Sequence, residues 1–374
     1  MARSRRSLQG AAHLRWELAE GGAPQGELFE PARREVGRGE FRGMEFLHVR
    51  ARRIINEVKG GADAPFLPFR FTINPYRGCS HACTYCFARP THEYLGLDIG
   101  ADFDQRIVVK VNAVERLRAE LAPSRWAGHL IAMGTNTDPY QQCEGKYRLT
   151  QGIVRTLADA GNPFSILTKS TLVLRDLDLL SEAARRTQVR VNLSVATLDE
   201  AVWRSTEPGT PHPRQRLHAV EQLNDAGVPC GVLVAPIIPG LSDAPEQLAE
   251  VGRACVEAGA VSVSTVLLHL RPGVKEHFLG ELGRTHPQLL ARYRKLYRGT
   301  YAARGERERS AARLHAAVRS AGGSSADRMD GDHLVGSAVP EPRSSAAAVP
   351  TDGRAGGAQT DVRAPVSRQL DLGL

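Results

Sequence analysis

The sequence predicts an α/β protein built on an open, partial (β/α)6 barrel, and three observations lead there. Between residues 65 and 303, short β-branched runs alternate with amphipathic stretches. That alternation forces parallel strand pairing through right-handed crossovers, and six units are too few for a closed eight-stranded barrel. Several of the helical stretches end on an Ala-Gly pair, at Gly161, Gly227 and Gly259, where glycine takes the left-handed position past a helix end. The polar clusters all follow the expected strands, which is where parallel α/β folds gather their chemistry. A chain of 374 residues, 42% hydrophobic and 24% charged, can bury a core of that size.

Taken in order, residues 1–64 are rich in Arg and Glu with scattered Gly. They read as a partly disordered N-terminal segment, in which Met44–Val58 alone has the apolar spacing of a short helix. The first strand is expected at Phe69–Ile73. A further strand-like run, Arg106–Val111, pads the first crossover before a helix at Asn112–Leu121. Strands then follow at His129–Met133, Phe164–Thr168, Val189–Val195, Pro229–Ala235 and Val261–Leu267. The helices between them are expected at Tyr147–Ala160, Arg175–Arg186, Pro213–Ala226 and Ala244–Ala258. Residues 304–374 turn to Ala, Gly, Ser, Pro and Arg, a composition that buries too little apolar surface to order itself.

Several classes are excluded. The longest apolar runs, such as Val228–Leu241, are short and interrupted by Pro and Gly, so no bilayer span is expected. Ser4-Arg5-Arg6-Ser7-Leu8 has the look of a twin-arginine signal. However, His13, Arg15 and Glu17 fall where its apolar core would lie, and a cytoplasmic protein is the expectation. Net charge is +8, which permits a polyanionic partner such as nucleic acid without requiring one. Six cysteines are too few for a disulfide-framed secreted chain of this length.

Three of those cysteines stand together. Directly after the first expected strand comes Asn74-Pro75-Tyr76-Arg77-Gly78-Cys79-Ser80-His81-Ala82-Cys83-Thr84-Tyr85-Cys86, a Cys-x3-Cys-x2-Cys spacing with no fourth cysteine nearby. Thiolates are the ligands of iron–sulfur clusters, and three of them leave one iron of a cubane open to bind and activate a small molecule. The competing use is a structural zinc site completed by His81 or a remote residue, but zinc spacings come as two paired knuckles and the second pair is missing. Cys143, Cys230 and Cys255 read as small hydrophobes, with Cys143 of interest because it follows a polar strand-end loop.

This motif resembles the radical S-adenosylmethionine (radical SAM) superfamily. The runs Asn74–Cys79 and Tyr85-Cys86-Phe87-Ala88-Arg89-Pro90-Thr91-His92 resemble its spore photoproduct lyase-related branch, within it an actinobacterial group of radical SAM proteins. The likeness runs from about Arg70 to Tyr301, and residues 44–58 also fit. It implies a radical SAM core domain over 65–303. It implies a [4Fe-4S] cluster on Cys79, Cys83 and Cys86 whose open iron binds S-adenosylmethionine, which one electron splits to give a 5′-deoxyadenosyl radical. It also implies an electron donor such as flavodoxin or ferredoxin.

Residue by residue, Tyr85 matches the aromatic whose backbone neighbours the adenine. Gly134-Thr135-Asn136 lies where the methionyl ammonium is gripped, although the usual Gly-Gly-Glu is absent. Lys169 lies where related enzymes put a cation against the cofactor, and Ser194 fits a ribose or carboxylate contact. The runs Glu207-Pro208-Gly209-Thr210, Arg216-Leu217 and Ala235-Pro236-Ile237 recur in the branch. One departure stands out: spore photoproduct lyases carry a hydrogen-donating cysteine at the end of the second strand, and here Met133-Gly134-Thr135 has none. This argues against thymine-dimer reversal. No catalytic acid, base or relay is assigned; Asp138, Tyr140 and Cys143 are candidates by position.

The chain closes on Gln369-Leu370-Asp371-Leu372-Gly373-Leu374, echoed at Gln25-Gly26-Glu27-Leu28-Phe29. The closing peptide resembles the one by which bacterial repair proteins dock on the DNA sliding clamp, a disordered tether presenting Leu anchors to an apolar pocket. The expected function is therefore a radical SAM enzyme with a nucleic acid or nucleotide as substrate, in the manner of DNA repair. The alternatives are radical modification of a small molecule or peptide, and a zinc-stabilised nucleic-acid-binding module without catalysis.

Overall fold

The computed structural model describes residues 16–17, 31–58, 69–122, 124 and 126–325. Its strands are β1 (Trp16–Glu17), β2 (Arg33–Val36), β3 (Glu45–Ala51), β4 (Ile55–Glu57), β5 (Phe71–Ile73), β6 (Tyr76–Arg77), β7 (Arg106–Lys110), β8 (Ile131–Met133), β9 (Phe164–Thr168), β10 (Val189–Ser194), β11 (Cys230–Ile237) and β12 (Val263–Leu267). The helices are α1 (Ala101–Gln105), α2 (Ala113–Leu121), α3 (Glu144–Tyr147), α4 (Leu149–Asp159), α5 (Leu177–Arg186), α6 (Glu200–Thr206), α7 (Pro213–Asp225), α8 (Pro245–Glu257), α9 (Val274–Thr285), α10 (Leu290–Leu296) and α11 (Arg304–Ser320).

The larger sheet runs β12-β11-β10-β9-β8-β5-β4. From β5 to β12 its neighbours are parallel and in chain order, and β4 covers the β5 edge antiparallel. This is the order of a partial (β/α)6 barrel, with no pairing of β12 to β5 among the described residues. The helix-facing residues of β10, Val189, Val191 and Leu193, enter one apolar core with Val220 and Leu223 of α7 and Leu179 and Leu180 of α5. The alternate residues, Arg190, Asn192 and Ser194, stand on the inner face, as the period of two in a strand requires.

A second sheet departs from expectation. Residues 44–58 form β3 and β4 instead of a short helix, and Arg106–Lys110 is β7, paired parallel to β3 and antiparallel to β6. β3 is buried on both faces: Phe46 packs with Phe41, Met44, Ile107 and Val109, while Leu47 and Val49 pack with Leu95, Leu97 and Val108. A strand covered on both faces gives a near-continuous apolar run, which spacing alone does not separate from a helical stripe. The stretch read as one helix, Tyr147–Ala160, breaks at Arg148, whose φ is +50°, into α3 and α4.

The expected disordered tail from residue 304 is also corrected. Residues 304–320 form α11, which packs on α8 and β12. Its buried stripe is Ser310, Leu314, His315 and Val318, and Ala317 and Val318 meet α8 at Gly252. The stripe holds only two large apolar residues, so composition hid it; helix-favouring Ala, Arg and Glu with Arg304–Glu308 and Arg309–Glu306 pairs support the helix. Gln369–Leu374 and Gln25–Phe29 lie outside the described residues. No described helix is long and apolar enough to cross a membrane.

Candidate active site

The cysteine loop leaves β6 at Gly78, whose φ is +84°. A Cβ there would meet His92, the Phe103 carbonyl and Ile107 within 3.0 Å, so the turn admits glycine alone. Cys79 N–H then donates to Phe103 O (3.0 Å), and one-turn bonds Ala82 N–H to Cys79 O and Cys86 N–H to Cys83 O coil the loop. Arg89, 1% exposed, clamps it from below: its guanidinium donates to Cys83 O at 2.9 and 3.1 Å, to Ile99 O and Gly100 O, and to Asp104. Cys79 and Cys83 are buried and Cys86 nearly so. Burial raises all three thiols. Asp138 and the neighbouring cysteines raise Cys79 further, and Glu207 does the same at Cys83.

The ends of β8, β9 and β10 hold this loop. Gln141 accepts from Ser80 N–H (3.0 Å) and donates to Gly78 O (3.0 Å), and Thr137 Oγ1 donates to the same carbonyl at 2.6 Å. The Asp138 side chain is largely buried. Its carboxylate faces His81 Nδ1 at 3.3 Å and accepts from Thr168 Oγ1 (2.6 Å), Lys169 N–H (2.7 Å) and Tyr140 N–H (2.9 Å). Burial alone would push that carboxyl up. The His81 ring and the hydrogen bonds outweigh it and hold the group below the usual aspartate range.

The sequence-expected residues fall into two groups at neighbouring strand ends. Gly134, φ +93°, sits against Leu167 O, where an added Cβ would lie 2.0 Å away. Asn74 binds Thr135 Oγ1 (3.1 Å) and accepts from Asn136 N–H (3.1 Å), so the end of β5 fixes the loop after β8. Asn136 Oδ1 is buried and accepts no hydrogen bond. Lys169 Nζ donates to Ser194 Oγ (2.5 Å), and lies 3.2 Å from Glu207 and 5.8 Å from the Tyr85 ring centroid.

From sequence, Glu207 and Arg216 were noted only in runs that recur in the branch, with no role at the site, and their meeting with Tyr85 and Lys169 was not foreseen. Glu207 is 2% exposed, receives the Tyr85 hydroxyl, and pairs with Arg216 at 2.7 Å. Burial opposes its charge, but Arg216, Lys169 and the Tyr85 hydroxyl override that and bring its carboxyl down to about 2. Arg216 also donates to Ser194 O (2.9 Å) and Thr210 Oγ1 (2.5 Å), locking the Glu207–Thr210 turn. Gly209 in that turn lies against the cysteine loop: a Cβ would sit 2.2 Å from Ser80 O, and Gly209 N–H donates to His81 O at 3.0 Å. The recurrence of the Glu-Pro-Gly-Thr run was the available signal; its contact with a loop far away in sequence was not legible.

The other cysteines stand apart. Cys143 is fully buried with Phe46, Tyr76, Val109 and Leu149 in the second-sheet core. Cys230 and Cys255 are core residues of β11 and α8. Tyr140 is buried with its hydroxyl on Asp176 at 3.1 Å. No three His, Cys, Asp or Glu side chains among the described residues are grouped as one metal ion needs. A cubane places each thiolate on a separate iron and asks for wider spacing.

Comparison with known proteins accords with this geometry. The family model of the Radical SAM superfamily matches residues 73–251. The uncharacterized protein Rv2578c of Mycobacterium tuberculosis is 47% identical over 265 residues, spanning 71% of this chain and 77% of that protein. The uncharacterized protein MJ0683 of Methanocaldococcus jannaschii is 29% identical over 201 residues, 54% of this chain and 70% of that protein. Among solved structures, spore photoproduct lyase complexed with dinucleoside spore photoproduct superposes with a TM-score of 0.53 at 16% identity, covering 75% of this chain and 81% of that one, a likeness of fold. Enzymes of the superfamily use a [4Fe-4S] cluster and S-adenosylmethionine and need an electron donor. The chain belongs to the radical SAM superfamily and is an enzyme of that type.

Proposed function

We propose that Cys79, Cys83 and Cys86 hold the [4Fe-4S] cluster with one iron left open, and that the enzyme acts in the cytoplasm on a nucleic acid or nucleotide. The observation that carries the cluster assignment is one loop, clamped by Arg89 and coiled by one-turn hydrogen bonds, that carries two buried thiols and the partly buried Cys86 against the polar ends of the strands. When bound, the cluster and S-adenosylmethionine supply an electron and a 5′-deoxyadenosyl radical. The chain supplies placement and the exclusion of water.

The residues present fit that cofactor pair. Asn136 Oδ1, a buried acceptor with no hydrogen bond, suits an ammonium donor beside Thr135. Lys169, Ser194 and Arg216 form a cationic, hydroxyl-bearing layer suited to a carboxylate or ribose, and Glu207 fixes that layer. Tyr85, immediately before Cys86, is tied to the layer through Glu207. The His81–Asp138 contact ties the loop to the end of β9.

Two observations support the nucleic-acid reading: a net charge of +8, and a fold shared with a lyase crystallised on a dinucleoside photoproduct. Thymine-dimer reversal is not the reaction we assign. β8 ends in Met133-Gly134-Thr135 without a thiol, and Cys143 is packed in the second-sheet core. The test is 5′-deoxyadenosine formation by the reduced, reconstituted enzyme offered DNA oligonucleotides, nucleotides or peptides in turn. A rise in yield with oligonucleotide or nucleotide alone is expected. A rise with peptide alone would overturn the substrate class.

A further inference from the structure

Three aromatic rings lead outward from the cysteine loop and take no part in the site described above. Phe87 directly follows Cys86, and its ring lies 5.9 Å from His269 at 37°; His269 lies 5.7 Å from Tyr301 at 32°. His269 stands two residues beyond the end of β12, so the row lies at the carboxyl ends of the strands, where Asp138, Lys169 and the cysteine loop also lie. It ends in solvent, with Tyr301 53% exposed and the Arg307 guanidinium 5.7 Å from its ring centre.

The row is held firmly. Tyr301 and His269 form an antiparallel bridge, and Leu270 N–H donates to Thr300 O at 2.7 Å. Beneath them the buried Tyr297 hydroxyl donates to Leu268 O (2.7 Å) and Tyr293 to Pro239 O (2.8 Å). The surroundings are basic. Arg271 and Arg298 flank the row in sequence, and the acids of α11 nearest to it, Glu306 and Glu308, are already paired with Arg309 and Arg304.

We propose that Phe87, His269, Tyr301 and Arg307 form a stacking platform for the bases of a single-stranded or locally unpaired nucleic acid at the mouth of the active site. This rests on the nucleic-acid reading above and deepens it. A half-exposed aromatic ring beside a guanidinium matches what a nucleotide presents, a π-face next to a phosphate. Chemistry on a base requires that base to leave the helical stack, and a ladder of rings running in toward Cys86 gives it a surface to move onto. The narrow row suits a strand better than it suits a protein face, which needs a broad patch.

The reconstituted full chain is titrated against a fluorescein-labelled single-stranded DNA oligonucleotide and its duplex, at two salt concentrations, by fluorescence anisotropy. The single strand is expected to bind more tightly than the duplex. Tyr301→Leu is expected to weaken single-strand binding about 5- to 150-fold, and Tyr301→Phe to keep it. Arg307→Ala is expected to lower the salt dependence by about one counterion. Wild-type affinity in Tyr301→Leu would overturn the platform while leaving the nucleic-acid reading standing. If that variant instead slowed cluster reduction by a flavodoxin, the face would be assigned to electron entry. A wild-type enzyme that cleaves S-adenosylmethionine yet binds no oligonucleotide would defeat the underlying reading and the platform with it.

Discussion

Replacing Gly209 by alanine perturbs the cysteine loop from a residue far away in sequence. The added Cβ would lie 2.2 Å from Ser80 O and 2.9 Å from His81 C and Cα, all backbone atoms with no flexible end to swing aside. Ordinary contact begins near 3.4 Å, so the two segments must part by about 1 Å. Overpacking of this kind costs about 1–3 kcal/mol, and losing the Gly209 N–H to His81 O bond adds about 1 kcal/mol. The loop that must move carries Cys79 and Cys83 on either side of the clash. Gly209→Ala is therefore expected to lower the chemical-denaturation stability by about 2–4 kcal/mol and to leave the anaerobically reconstituted protein short of iron. Gly280→Ala in α9 is the control. It has open space around it and should gain up to about 1 kcal/mol with full iron content. Equal iron and equal stability in Gly209→Ala and wild type would refute the reasoning that the Glu207–Thr210 turn shapes the cysteine loop.

Other consequences follow from the same contacts. Glu207, held at about 2 against an ordinary 4.5, contributes about 3 kcal/mol at roughly 1.4 kcal/mol per pH unit. Because its folded value is depressed, that stability is complete above pH 4.5 and is lost as pH falls toward 2. Glu207→Gln should thus destabilise the fold at pH 7 and flatten the acid limb of a denaturation–pH profile, whereas an unchanged limb would contradict the assignment. Arg89→Lys keeps the charge but lacks the fork that reaches Cys83, Ile99 and Gly100 together; iron content after reconstitution should fall, and full content would show that the clamp is dispensable. Leu314→Ala, in the fully buried stripe of α11, should cost about 2–5 kcal/mol. A loss under 0.5 kcal/mol, the range of an ordinary surface substitution, would mean that α11 does not dock on α8.

The barrel was legible because its strands and helices keep separate periods. β9 lies where Phe164–Thr168 was expected, and α7 and α8 differ from expectation only at their ends. Residues 106–110 were read as a strand and are β7, but their partner was misread as a helix in residues 44–58. β3, paired inside a second sheet and covered on both faces, loses the alternation that marks a half-buried strand. α11 was missed for the opposite reason, its stripe being too thin to register against an Ala- and Arg-rich background. At the site, the cysteine spacing and the strand-end positions of Thr135, Asn136, Lys169 and Ser194 could be read directly. The partners of Lys169 could not, because Glu207, Arg216 and Tyr85 meet only through the order in which β9, β10 and the cysteine loop come together.

The most direct measurement uses the full chain reconstituted under anaerobic conditions. Iron and acid-labile sulfide are counted, and 5′-deoxyadenosine is then measured after adding S-adenosylmethionine and a reductant, with Cys83→Ala alongside. The account predicts about four irons per chain and cofactor cleavage that disappears in the variant. Zinc in place of iron, or cleavage that survives in Cys83→Ala, would contradict the assignment of Cys79, Cys83 and Cys86 as the cluster ligands.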